Sequence, residues 1–151
     1  MTLSDDMALL SGVALFNELG EDKLRLLAFG AERRRLEAGE VLFSEGALAD
    51  CAYVVANGRF ELTRRIKGES KSIGIAGPQT LLGEMAMISA IERKMTAVAL
   101  EPAEVIRINR ALFRRMLEEF PEIASLMQQR IEAGFKAMIS DLNKLAPRFG
   151  V

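Results

Sequence analysis

The sequence predicts a mainly β domain with flanking helices, its β part a closed unit of sandwich or barrel type. Three observations carry this. Between about residues 31 and 108, short apolar runs are broken by Gly, Pro and Asn turns at the spacing of short strands. On either side of that stretch the apolar spacing turns helical. No helical segments alternate with the strands, which argues against a parallel α/β sheet.

The helical opening is read first. Ser4 is a candidate N-cap, with Asp5 and Asp6 in the first turn, and Met7, Leu9, Leu10, Val13, Leu15 and Phe16 form an apolar face. A second helix starts at Gly20-Glu21-Asp22, puts Leu24, Leu26, Leu27 and Phe29 on its core side, and ends at Gly30. The period then becomes two. Arg33-Arg34-Arg35 reads as a solvated strand edge. Ala38-Gly39-Glu40 and Ser44-Glu45-Gly46 are turns around the strand Val41-Leu42-Phe43, and Glu45 is expected to be solvated. Cys51 to Ala56 reads as a buried strand. Asn57-Gly58 is a strong hairpin signal, with Phe60, Leu62 and Ile66 on the return strand. Lys67 to Ser70 turns again before Ser72 to Ile75, and Gly77-Pro78 breaks the chain before Leu81-Leu82. Met95 to Leu100 and Glu104 to Ile108 are the last strands.

Asn109 caps a helix carrying Leu112, Phe113, Met116 and Leu117, which stops at Phe120-Pro121. The final helix runs from about Glu122 to Leu145, roughly 24 residues and ~36 Å. Its apolar series is Ile123, Met127, Ile131, Phe135, Met138, Leu142 and Leu145. From Ile131 the spacings approach a heptad seam, so the distal half is expected to pack on a second copy. Ala146 to Val151 reads as a tail, marked by Pro147 and Gly150. The expected organisation is one domain over residues 1–151, with the β unit at about 31–108 and the C-terminal helices at about 109–145.

Composition narrows the function. The formal net charge is −1, so no global field favours nucleic acid or membrane. A single cysteine, Cys51, excludes an intramolecular disulfide. Histidine is absent, which removes the commonest general base, the commonest zinc ligand and every Ser-His or Cys-His pair. No catalytic or metal-ligating set is assigned, and an enzyme is the weakest reading. Nothing reads as a signal peptide or a membrane span, so a cytoplasmic protein is expected.

The stretch from Gly83 to Ala97 carries the functional information. A Gly-Glu pair, Gly83-Glu84, stands ten positions before Arg93, with a short apolar helical turn between. Exposed amides at that turn and a guanidinium fork suit a singly charged sugar phosphate, and a nearby carboxylate suits a ribose hydroxyl. The plain alternative is a loop ion pair between Glu84 and Arg93, worth ~0–1 kcal/mol. Met85, Met87 and Ile88 read as core residues of the turn.

Two further stretches stand with this one: Gly39-Glu40-Val41-Leu42-Phe43-Ser44-Glu45-Gly46, and Asp50 to Leu62 with Tyr53-Val54-Val55 and Gly58-Arg59-Phe60-Glu61-Leu62. Together they resemble the cyclic-nucleotide-binding domain, the family of the catabolite activator protein, the regulatory subunits of protein kinase A and nucleotide-gated channels. The resemblance covers about Val13 to Leu145. It implies a β jelly roll (a double-stranded β-helix) with N-terminal helices and a long C-terminal helix. It also implies a ligand site. Arg93 would pair with the cyclic phosphate, and Glu84 with the ribose 2′-hydroxyl beside the Gly83 backbone. Amides around Met85 and Ala86 would face phosphate oxygen, and Thr96 would serve the phosphate or the base. Lys94 follows the arginine where cGMP-selective members carry a guanine-bonding Thr, so cAMP is favoured over cGMP. The family's Pro and second Gly before the arginine are replaced by Ser89, Ala90 and Ile91, which leaves the turn's shape open.

The resemblance thus implies a stand-alone regulatory module that binds a cyclic nucleotide and needs no cofactor. Its final helix would shift on binding, with residues near Met127 to Ile131 capping the base. The partners expected are a second copy through that helix and a protein effector. The sequence stops where the DNA-binding part of a catabolite-activator-type regulator would begin, so direct DNA binding is not expected. The alternatives are such a transcriptional regulator, or a degenerate domain kept for dimerisation.

Overall fold

Helices, a first sheet and a second sheet form three layers, and side-chain alternation decides what each layer touches. The structure is a computed structural model that describes residues 2–148, and the surroundings of side chains as far as Lys144. The strands are β1 (Glu32–Leu36), β2 (Val41–Phe43), β3 (Leu48–Ala49), β4 (Cys51–Asn57), β5 (Phe60–Ile66), β6 (Glu69–Ala76), β7 (Leu81–Leu82), β8 (Ile91–Glu92), β9 (Thr96–Ala99) and β10 (Ala103–Asn109). They pair antiparallel in the orders β1-β10-β4-β7 and β2-β9-β5-β6, with β3-β8 as a separate ribbon. The inner faces of the two sheets share one core: Leu36, Tyr53, Val55, Leu82 and Val105 meet Leu42, Phe60, Ala76, Ala97 and Ala99. On β4 and β10 the alternate residues, Ala52, Val54, Ile106 and Ile108, face the helices instead. Being covered on both sides, these strands read as continuous apolar runs. This is the expected jelly-roll architecture with helices at both ends.

Helix α1 (Leu3–Ser11) is capped by Thr2, two residues before Ser4. The Asp5 amide donates to the Thr2 hydroxyl at 3.2 Å, and the Thr2 amide to the Asp5 carboxylate at 3.0 Å. That reciprocal box satisfies two donors where Ser4 would satisfy one. Helix α2 (Glu21–Gly30) buries Leu24, Leu27 and Ala28. Phe29, expected in the core, stands 81% exposed. The core stripe at i, i+3, i+4 is complete at Ala28, and the next residue lies about a quarter-turn away.

Arg33 is not solvated either. It bonds Asp6 of α1 and Glu104 of β10, and Arg35, two positions on and so on the same face, bonds Glu104 at 3.2 Å. Edge strand β1 thereby ties the first helix to the sheet. Only Arg34 and Arg35 match the expected solvated edge: Arg34 pairs with Glu40 at 3.5 Å, both half-exposed. Glu45 is held as well, its carboxylate accepting from the Arg65 amide at 2.9 Å.

Asn57-Gly58 closes no hairpin. Strands β4 and β5 belong to opposite sheets, and Gly58 (φ +82) carries the chain over the edge between them. A Cβ there would lie 2.6 Å from the Ala103 Cβ and 2.8 Å from the Pro102 carbonyl oxygen. The hairpin joins β5 to β6 instead, where Lys67 (φ 52) and Gly68 (φ 79) supply the two positive φ angles of a type I′ turn.

Helix α3 (Arg110–Glu119) starts as expected: the Leu112 amide donates to the Asn109 side chain at 2.8 Å. A single 3-10 turn at Pro121–Ile123 leads into α4 (Ala124–Arg148). The long helix continues through Pro147, where the sequence places a tail from Ala146. The side chain of Leu145, and Gly150 with the end of that tail, lie outside the described residues. Its apolar series turns to this chain's own body. Met127 and Ile131 are in the core against α1, α2 and α3, and Leu142 is buried too.

Gly58→Ala is expected to lower stability more than Gly68→Ala, by about 1 kcal/mol or more in urea unfolding. Both bear the left-handed backbone cost of about 1–2 kcal/mol, but only Gly58 faces backbone that cannot move aside. Equal losses would contradict the close approach.

Candidate functional site

The three stretches singled out in the sequence meet around one residue. Arg93 lies just after the two-residue strand β8, and its backbone is pinned on both sides. Its amide donates to the Ala47 carbonyl at 2.8 Å, and its carbonyl accepts from the Gly46 amide at 2.8 Å. The early Gly-rich turn therefore sets the arginine's position. Gly46 (φ +86) gives that turn its left-handed corner.

The Arg93 side chain runs inward and is 8% exposed. Its guanidinium carbon lies 4.5 Å from the centroid of Phe43 and 5.6 Å from that of Tyr53. These two rings stack 6.1 Å apart, and they offer the cation their π faces in place of water. Arg93 Nη2 donates to Cys51 Sγ at 3.4 Å. Nη1 is buried and has no hydrogen-bond partner among the described residues. Glu84 is not its partner, so the loop ion pair is not formed.

Gly83 (φ +77) is where β7 gives way to a 3-10 turn, Glu84–Met87. A side chain at Gly83 would collide with Arg93 Nη1, so glycine is required both by the backbone angle and by the guanidinium's approach. The Ala86 amide is already given to the Gly83 carbonyl at 3.0 Å. That leaves the amides of Glu84 and Met85, ahead of this first internal bond, as the turn's open donors. Met87 is buried in the core, as expected, while Met85 is shared between the core and the cleft.

These residues line a cleft of about 130 Å³, partly open to solvent, smaller than the roughly 300–1,000 Å³ of typical small-molecule sites. Gly83, Glu84, Met85, Ala86, Arg93 and Lys94 all border it, with Phe43 and Leu62 from the second sheet. Thr96 does not. Its hydroxyl accepts from the Glu45 amide at 2.8 Å, which fixes the early turn to β9. Glu84 is half-buried, and burial raises its carboxyl above its ordinary value of 4.5.

The fourth wall comes from α4, through Phe135 and Met138. The sequence places the capping region near Met127 to Ile131, but those two side chains are consumed by the core. Phe135, one turn beyond Ile131, is the first of the series to reach the cleft. A residue that the sequence does not mark is Arg110, at the start of α3. Its Nε donates to the Ala86 carbonyl at 3.0 Å, and its Nη2 to the carbonyls of Ala49 and Ser89 at 2.7 and 3.2 Å. It thereby fastens the turn that replaces the missing Pro and Gly. No pattern marks such a residue, because its partners are backbone atoms scattered along the chain.

Chemically, the site offers a buried cation with a free donor at one end of an apolar cleft and a carboxyl on its rim. Among the described residues no group of His, Cys, Asp and Glu is arranged to hold a metal ion. Nor is any helix long and apolar enough to cross a membrane. Comparison with known proteins agrees with this chemistry. The family model described as the cyclic nucleotide-binding domain matches residues 33–120. The chain is 31% identical over 127 residues to the cyclic AMP receptor protein of Thermus thermophilus, covering 81% of this chain and 59% of that one. A solved cyclic nucleotide-binding-like protein from Brucella abortus is 47% identical, with a TM-score of 0.69, covering 76% of this chain and 98% of the other. The regulatory domain of Toxoplasma gondii PKA, solved with cAMP, shares the fold at 24% identity and a TM-score of 0.71, covering 76% of this chain and 44% of the other. The chain belongs to the cyclic nucleotide-binding domain family.

Proposed function

We propose that this domain is a non-enzymatic receptor for a cyclic nucleotide, with cAMP preferred over cGMP, and that it signals through α4. The observation that carries the reading is Arg93. A buried guanidinium with an unbonded Nη1 is a poor structural element but a ready donor to one charged phosphate oxygen. Glu84 and Met85, whose amides are open, border the same cleft as Arg93, and this supports assigning the Glu84 carboxyl to a sugar hydroxyl. The preference for cAMP is supported by Lys94, which borders the cleft where a guanine-bonding Thr would be required.

Signalling through α4 is supported by Phe135 and Met138, which make the helix one wall of the cleft. A ligand shifts such a helix only by binding its two positions unequally, and contact with the wall supplies that difference. A second copy and a protein effector are part of the proposal. A dimer through α4 would use a face other than the Met127–Ile131–Leu142 series, and Leu126, 44% exposed, marks such a face. The partial coverage of the Thermus thermophilus relative favours one second reading, in which this domain is the sensing part of a transcriptional regulator.

Calorimetry of the wild type and Arg93→Ala with cAMP and cGMP tests the reading. The expected result is binding of cAMP by the wild type and a loss on the order of 1.5–3 kcal/mol in the variant, the worth of a charged hydrogen bond. No heat and no thermal shift with either nucleotide would favour a domain kept for dimerisation. A second prediction concerns the ligand-free protein. Because burial raises Glu84, the fold holds the acidic proton more tightly than the unfolded chain. Stability from this group is then present below pH 4.5 and is lost as pH rises through the folded value. Glu84→Gln should raise the melting temperature at pH 7, and the gain should shrink as pH falls toward 4.5. A pH-independent gain would contradict the burial.

A further inference from the structure

Gly134 interrupts the middle of α4, a helix of 25 residues, where glycine is among the least favourable choices. It is not a helix end, and no kink-forming residue accompanies it. What it faces is the Glu84 side chain. A Cβ built on Gly134 would overlap Glu84 Oε1 and lie 3.2 Å from Glu84 Cδ. The carboxyl of the rim therefore fits into a notch that exists only because position 134 has no side chain. On the next residue, Phe135 reaches the same cleft, so the notch and the wall are adjacent on one helix.

We propose that Gly134 is a positioning residue for the nucleotide site. It lets α4 lie against the cleft while leaving room for the Glu84 carboxyl, which the receptor reading assigns to a ribose hydroxyl. This rests on the receptor reading given above. The overlapping atom is the far end of a flexible side chain, so alanine at 134 does not break the fold. It pushes the Glu84 carboxyl aside. The predicted damage is thus to sugar recognition, and the helix itself gains from the substitution.

The test is a cycle of four proteins: wild type, Gly134→Ala, Glu84→Ala and the double variant. Each is melted without ligand and titrated with cAMP and with its 2′-deoxy analogue. Gly134→Ala is expected to weaken cAMP binding about tenfold or more, close to the loss in Glu84→Ala. It should leave the 2′-deoxy analogue unaffected and add nothing in the Glu84→Ala background. In the melts, Gly134→Ala should gain about 2–4 °C when Glu84 is absent and less when it is present. Equal weakening in both backgrounds, or of both ligands, would overturn the proposal, because the methyl would then act on the nucleotide directly. Unchanged cAMP affinity in Gly134→Ala, beside a loss in Glu84→Ala, would overturn it too. If no nucleotide binds the wild type, the receptor reading fails, and the notch is judged by the melts alone: additive shifts would refute it.

Discussion

Burying a guanidinium without a carboxylate is expensive, and the domain is organised around having done so at Arg93. Leaving a buried donor unbonded costs about 1–3 kcal/mol, and more when the group is charged. Two aromatic rings and a thiol offset part of that, and none of them neutralises the charge. The rest of the architecture keeps the arginine from escaping. Gly46 and Ala47 hold its backbone, Gly83 leaves room for its tip, and Arg110 anchors the turn between. Strain accepted at one place by a rigid surround is a common property of binding sites. Here it takes the form of an unmet electrostatic demand.

The long helix reconciles two roles that compete for its residues. Its proximal half is structural, with Met127 and Ile131 buried in the core that the N-terminal helices also enter. Its distal half forms a wall of the cleft through Phe135 and Met138. Gly134 lies at the junction, against Glu84. A helix with one end fixed in the core and the other on the site can pass a change at the site to the body of the domain. On the proposed reading, that is how occupancy is reported.

Much of this was legible in the sequence, for reasons that differ by element. Strands β4 and β10 were visible because burial on both faces leaves long apolar runs. The Gly83-Glu84 to Arg93 spacing stands out because the phosphate recognition proposed for it restricts residue types. Asn57-Gly58 misled because a glycine with positive φ serves an edge crossing as well as a hairpin, and only long-range packing on Pro102 and Ala103 decides. Nothing in the sequence prefers Thr2 as the cap, because Ser4 matches the same rule. Phe135 borders the cleft one turn beyond the Met127 to Ile131 region, because periodicity marks an apolar stripe without saying what lies under each part of it. Arg110 and the notch at Gly134 depend on neighbours 21 to 61 residues and 50 residues away respectively. Local pattern carries no trace of those.

The most direct measurement compares two ligands that differ in the charge of the phosphate and by one small alkyl group. Wild-type protein would be titrated calorimetrically with cAMP and with a neutral alkyl triester of the same cyclic phosphate. If Arg93 donates to a charged phosphate oxygen, cAMP binds and the neutral ester binds at least about tenfold more weakly. Equal affinities would show that the buried guanidinium plays no part in recognition, and would contradict the account at its centre.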